Sequence, residues 1–264
     1  MPKFHVIVGP DTTPVYPNVR KIGPSDLKDA LAKGMEDFLT MPSSLFFLGL
    51  IYPLVGIWLV VGNSPHLLFP LMSGFALIGP FAASGLYEIS RRRELGLDIS
   101  WKDAFGVLRS RSIFSILSLG LLLLVIFACW VFTAHALYVS LLGPTPPESF
   151  TRFIGNVLST SQGWKFIGLS NAIGFLFAVV ALSISVVSFP LLLDCDAEVP
   201  VAIYTSVRVV LKNPFTMALW GLIVTAVLAI GFLLLFVGLA VTVPILAHST
   251  WHLYRRVVDR AATV

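Results

Sequence analysis

Charge is what this sequence has least of. Only 12% of its 264 residues are Asp, Glu, Lys or Arg, against roughly 25% in soluble domains. So few charges cannot cover a soluble globule of this size. With 56% hydrophobic residues, the chain is equally far from disordered segments, which are polar and highly charged. Cysteine is scarce as well. Two residues, Cys129 and Cys195, exclude a disulfide scaffold and a cysteine-built metal cluster. A nucleophile elbow, a phosphate-binding Walker loop, a dinucleotide fingerprint and a His-Glu-x-x-His pair are all missing. Residues 1–40 have no apolar core of signal length, so no cleaved leader is expected.

What the chain does have is long apolar runs, with a mean hydropathy of +0.88. Crossing a bilayer takes about 20 mostly apolar residues. Five stretches qualify: 44–62, 67–87, 113–142, 166–193 and 215–251. The last is long enough for two crossings, with a turn near Gly231–Gly238, which gives spans at about 215–232 and 236–254. A single long, tilted fifth span is the alternative. The basic residues decide between the two counts. With six spans, sixteen of the 18 Lys and Arg fall on one face: those of residues 1–33, Arg91–Arg93 to Arg111, Arg208 and Lys212, and Arg255, Arg256 and Arg260. Only Arg152 and Lys165 fall on the other. The positive-inside rule makes the rich face cytoplasmic. The expected fold is therefore an all-α, six-span bundle with both termini inside, in a bacterial plasma membrane. The sequence pI near 9.2 reflects these topology determinants beside anionic headgroups. Nucleic-acid binding is not expected, because no nucleic-acid motif accompanies the charge.

Residues 1–24 hold five prolines and read as a flexible cytoplasmic tail; 25–258 form the membrane domain. Three amphipathic segments precede pairs of spans and read as interfacial helices. The first, Ser25–Leu39, has Ser25 as its N-cap and Leu27, Leu31, Met35 and Phe38 at helical spacing. The second starts at the capping box Ser100–Asp103. The third starts at Glu198-Val199-Pro200. Interfacial helix plus two spans, three times over, suggests a parallel threefold repeat. Pro80, Pro190 and Pro244 take similar places late in the even spans. Prolines within spans imply kinks whose freed carbonyls neighbouring helices satisfy.

The spans hold no Asp, Glu, Lys or Arg. That removes the usual mark of proton relays and ion pathways and the paired acids of a hydrolase. The sharpest candidate site is His248 and His252. At i,i+4 they share a helix face and could together ligate a metal or haem; hydrogen bonding to neighbouring helices is the plainer reading. Under the repeat, Ser84 and Asp194 align with His248, and Glu88 and Glu198 with His252, which would gather carboxylates around the pair. Trp251 and Tyr254 read as interfacial anchors. Glu88 and Arg91–Arg93 either pair with Asp194, Asp196 and Glu198 or form a solvated basic loop. Glu88, Arg91, Asp194, Trp251 and Tyr254 are the candidate interaction residues. No catalytic residue and no obligatory cofactor is expected.

The chain also resembles a family. The resemblance runs from about Val19 to Val258. It rests on Val19-Arg20-Lys21-Ile22, Asp26-Leu27, Ala30-Leu31, Gly34, Asp37-Phe38 and Pro42. It continues through Gly74–Phe81, Gly85–Arg91, Phe189-Pro190, Asp194, Asn213-Pro214 and Trp220-Gly221, to His248–Arg255. These segments are similar to bacterial integral membrane proteins grouped as a domain of unknown function, some of them labelled cytochrome c oxidase subunits. The resemblance implies no particular activity. Because this chain lacks the several buried histidines of a haem–copper core, the label implies at most an accessory or assembly role. The leading expectation is a non-catalytic accessory subunit or assembly factor of a larger, respiratory-type membrane complex, with the lipid bilayer and other membrane subunits as partners. A channel or carrier for a small neutral or amphiphilic solute is the alternative.

Overall fold

A computed structural model of the chain describes residues 16–41, 79–81, 83–145, 147, 149–195, 197–234 and 238–259. The described residues are helical apart from short connections. In chain order the elements are α1 (Pro24–Thr40), α2 (Ser84–Glu94), a 3-10 helix (Trp101–Arg109), α3 (Ile113–Leu142), α4 (Phe150–Ser159), α5 (Ser161–Ser185), α6 (Ser188–Asp194), α7 (Val199–Lys212), α8 (Pro214–Leu233) and α9 (Leu239–Val257).

Among the described residues, three stretches are long and apolar enough to cross a membrane: Ile113–Leu142, Ser161–Asp194 and Pro214–Leu233. At 1.5 Å per residue, the 30 residues of α3 reach about 45 Å and the 20 of α8 about 30 Å, enough for the hydrocarbon core. Their outer faces are bare and apolar: Phe114 and Phe132 on α3, Phe175 on α5, and Phe215 and Leu233 on α8 are all exposed. The spans expected at 44–62 and over most of 67–87 lie outside the described residues. Of the sixth, 236–254, residues 239–254 are helical as part of α9, a helix less apolar than the other three because it carries His248, His252, Arg255 and Arg256. The stretch 215–251 is two helices: α8 ends at Leu233 and α9 begins at Leu239. They meet at glycines. A Cβ on Gly238 would lie 2.9 Å from the Cα of Gly231, so neither position has room for a side chain.

The fourth apolar stretch is not one straight helix. Pro190 has no N–H to give and its ring clashes with the carbonyl four residues back. The helix breaks there, at Val186–Val187, and restarts as α6. The Val187 N–H turns to Ser206 Oγ on α7, at 3.3 Å. Pro244, by contrast, sits buried within a continuous α9.

The three amphipathic segments are all helical, with corrections of detail. In α1 the N-cap is Gly23, not Ser25; Pro24 takes the first helical position, and Asp26 Oδ2 accepts from the Gly23 N–H at 2.9 Å. The Ser100 box forms, with Asp103 Oδ2 accepting from the Ser100 N–H at 2.7 Å, but it starts a 3-10 helix. The buried stripe of α1 also differs from the expected one. Leu27, Ala30, Gly34 and Asp37 face inward, while Met35 is 41% exposed. The reason is close packing on α9: small residues at 30 and 34 bring the two backbones together, and the larger apolar residues are left on the flanks.

The end of the proline-rich tail is not free. Val19 forms an antiparallel bridge with Val258. The Arg20 N–H donates to the Val257 carbonyl at 2.7 Å. Asn213, between α7 and α8, accepts from the Ile22 N–H at 2.9 Å and donates to the Arg20 carbonyl at 3.1 Å. Residues 18–22 are thus a strap joining the chain's C-terminal end to the α7–α8 corner.

Candidate functional site: a buried polar cluster between three helices

The polar side chains of the bundle converge where α1, α2 and α9 meet. On α2, Ser90, Arg93 and Glu94 share a face through their i,i+3 and i,i+4 spacing, as do His248, Trp251, His252 and Arg255 on α9. Asp37, on α1, is the centre. It is only 4% exposed, yet donors from two other helices reach it. Ser90 Oγ donates to its Oδ2 at 2.5 Å, His252 Nε2 lies 2.9 Å from the same oxygen, and Arg93 Nη1 bonds its Oδ1. Arg93 Nη2 also holds Glu36 at 2.7 Å.

Burial by itself would raise the pKa of Asp37. The hydrogen bonds from His252 and Ser90 and the field of the two histidines outweigh it and hold the carboxyl below its ordinary value. Asp37 is therefore ionised and acceptor-only, and that fixes the protons around it. Ser90 has one hydroxyl proton and gives it to Asp37. The contact of 2.7 Å between Ser90 Oγ and His248 Nδ1 then needs its proton from the imidazole. His248 is the Nδ1–H tautomer, and its Nε2 keeps a bare lone pair. That atom is buried without a hydrogen-bond partner among the described residues.

A second set lies beside the first. Glu94 accepts from Arg255 Nε and Nη2, at 2.9 and 2.7 Å to Oε1, and from Trp251 Nε1 at 3.2 Å. The Tyr254 hydroxyl donates to Asp194 Oδ2 at 2.8 Å, and Arg255 Nη1 reaches the same oxygen at 3.5 Å. A third pairing is local to α2: Arg91 grips Glu88 with Nε and Nη2 at 2.7 and 2.9 Å. That bond is the main reason the Arg91 guanidinium is raised above its ordinary value. Arg92 reaches Asp103 of the 3-10 helix at 3.2 Å. At the far end of α9, Arg256 holds Asp29 of α1 at 2.9 Å.

The candidates of the sequence therefore gather in part. His248 and His252 do meet a carboxylate, but it is Asp37. Glu88 and Asp194, which the repeat placed beside them, are bound by Arg91 and by Tyr254 with Arg255 instead. Arg91 takes Glu88 as its direct partner and senses Asp194 only through its charge; Asp196 lies outside the described residues. Trp251 and Tyr254 are not anchors at an interface. They are 0% and 2% exposed and spend their polar atoms on Glu94 and Asp194. Sequence reading missed Asp37, Ser90 and Glu94, and it gave Arg93 other acids as possible partners than Asp37 and Glu36. The available signal was Asp37 lying three residues beyond Gly34, on the stripe of small residues.

A metal at the histidine pair has limited support. Each imidazole already turns one nitrogen to Ser90 or Asp37. No group of three or more His, Cys, Asp or Glu is placed to hold a metal among the described residues. A cleft of about 390 Å³ opens over the cluster, walled by Lys33, Glu36 and Asp37 of α1, Ser90, Arg93 and Glu94 of α2, and His252, Arg255 and Arg256 of α9.

One comparison places part of this chain among known sequences. Residues 68–194 match DUF2189, a family of predicted integral membrane proteins. With the three long apolar helices, this makes the chain an integral membrane protein. The DUF2189 match takes in Ser90, Arg93, Glu94 and Asp194; Asp37 and the α9 half of the cluster lie beyond it. No curated protein and no solved structure matches the chain.

The lowered pKa of Asp37 carries a prediction. A carboxylate whose folded pKa is depressed stabilises the fold at pH values above its unfolded pKa and loses that contribution as pH falls through the folded one. Starting from the ordinary value of 3.8, thermal stability in detergent should hold on acidification to that pH and decline below it. Asp37→Asn should flatten the decline. Equal acid sensitivity in the variant would show that another group is responsible.

Proposed function

We propose that this protein is a non-catalytic polytopic subunit or assembly factor of a larger, respiratory-type complex in the bacterial inner membrane. The observation that carries the reading is the pairing of the acids. Asp37, Glu88, Glu94 and Asp194 are each engaged by donors that tie them to a neighbouring residue or another helix. A carboxylate held by three donors is a poor general base. The polar cluster acts as a clamp fixing how α1, α2 and α9 sit together. Beside it, α3, α5 and α8 turn broad apolar faces outward, as surfaces for lipid and for neighbouring membrane helices.

The six-span topology belongs to the same reading, with α9 as the sixth crossing and α1, the 3-10 helix and α7 at the cytoplasmic surface. The arginine-rich ends of α2 and α9 then lie inside, where positive charge is retained. A second reading has one observation behind it. The bare Nε2 of buried His248, oriented through Ser90 and Asp37, resembles the arrangement that prepares a histidine for a metal or haem.

Native purification in a mild detergent tests both. We expect stoichiometric co-purification with other membrane subunits and no absorbance beyond that of aromatic residues in the isolated chain. An isolated homo-oligomer enclosing a continuous polar path would overturn the accessory reading in favour of a solute channel. A haem or metal signature lost in His248→Gln would establish the second.

A further inference from the structure

The charges around the cleft are unevenly spent. Its carboxylates are matched: Asp37 by Arg93, Ser90 and His252, Glu36 by Arg93, and Glu94 by Arg255 and Trp251. Its cations are matched too, with one exception and one partial one. Lys33, exposed at the mouth one turn before Asp37, has no hydrogen bond or ion pair among the described residues. Arg256, 41% exposed, reaches Asp29 at 2.9 Å through Nη2 and lies 3.8 Å from Asp26 through Nη1. A guanidinium carries five N–H donors, so Arg256 keeps several to offer.

What the cleft has to spare is therefore hydrogen-bond donors, those of Lys33 and the unused ones of Arg256, at an opening of about 390 Å³. That volume lies within the range, roughly 300–1,000 Å³, of sites for small ligands. A phosphate ester is the complementary chemistry: its free oxygens only accept, it is negative, and guanidinium and ammonium groups both suit it. We propose that the cleft binds a phosphate ester, held by Lys33 and Arg256 at the mouth. In the six-span arrangement the mouth stands at the level of the cytoplasmic headgroups, where basic pockets at helix ends take up anionic lipid heads. The proposal rests on that membrane placement and not on any partner protein.

The test titrates the full-length, detergent-solubilised protein with phosphatidylglycerol or phosphatidylcholine and counts bound lipid by native mass spectrometry. Phosphatidylglycerol should bind more tightly than phosphatidylcholine. Removing the two cations in Lys33→Gln/Arg256→Gln should weaken it by about fivefold per cation. Glu36→Gln, at a carboxylate 67% exposed, should tighten it, because it frees Arg93 Nη2; this arm reads the proposal even if the double variant folds poorly. Displacement by millimolar glycerol phosphate supports a free phosphate ester as the natural ligand, and retention supports a lipid head. Equal binding of both lipids together with no displacement of either by glycerol phosphate, or unchanged binding in the double variant and in Glu36→Gln, overturns the site. None of these results depends on whether other subunits co-purify, so the cleft and the accessory role fail separately.

Discussion

Asp37→Ala should destabilise the protein by about 1.5–3 kcal/mol, the range for hydrogen bonds to a charged group. The estimate follows from what the substitution strands. Ser90 and His252 would lose their acceptor and Arg93 one of its two, keeping Glu36. Asp37→Asn should lose about half as much: the amide keeps the shape and one acceptor oxygen, but its NH2 group confronts donors. Thermal unfolding in detergent reads both, and the order alanine below asparagine below wild type is the expected outcome. His252→Ala removes only one of the three donors at a half-buried position, so it should lose less than either.

The second large effect is at Gly34. A Cβ there would lie 2.6 Å from the backbone nitrogen of Ser249 and 2.8 Å from its Cα. Backbone cannot rotate aside as a long side chain can, so α1 would have to lift from α9. Two terms oppose each other. Alanine is better than glycine in a helix by about 1 kcal/mol, which favours the variant. Overpacking a close contact costs about 3 kcal/mol, and here the obstruction is main chain, so the clash wins. Gly34→Ala should therefore lower the unfolding temperature and expose α1 to proteolysis. Gly155→Ala, where a Cβ meets nothing within 4 Å, is the matched control and should be neutral or stabilising.

Both effects fall on α1, and α1 shows where sequence patterning stops. Its helix was legible from 3.6-residue periodicity. Its buried face was not, because the pattern weighs apolarity, whereas the packing with α9 is set by size. Ala30 and Gly34 permit the approach, and Asp37 follows them inside. The histidines were legible through their i,i+4 spacing, but their carboxylate stands 211 and 215 positions away, and no local signal links α1 to α9. The repeat pointed to Glu88 and Asp194 instead. Arg91, one turn from Glu88, and Tyr254 with Arg255 claim those acids first. Trp251 and Tyr254 looked like residues of an interface because amphipathic aromatics gather there; burial against α2 and α6 provides their polar atoms with partners of another kind. The apolar runs that became α3, α5 and α8 were the plainest part of the sequence, since length and hydropathy alone identify them.

The central claim is that the polar cluster around Asp37 holds α1, α2 and α9 together. Hydrogen exchange over α1 and α9, in wild type and in Asp37→Ala, tests it most directly. If the cluster is a clamp, the amides of 27–38 and 246–256 should be protected to a similar degree in wild type and lose protection together in the variant, while α3 and α5 keep theirs. Rapid exchange of α1 in the wild-type protein, or unchanged protection of both helices in Asp37→Ala, would contradict the account.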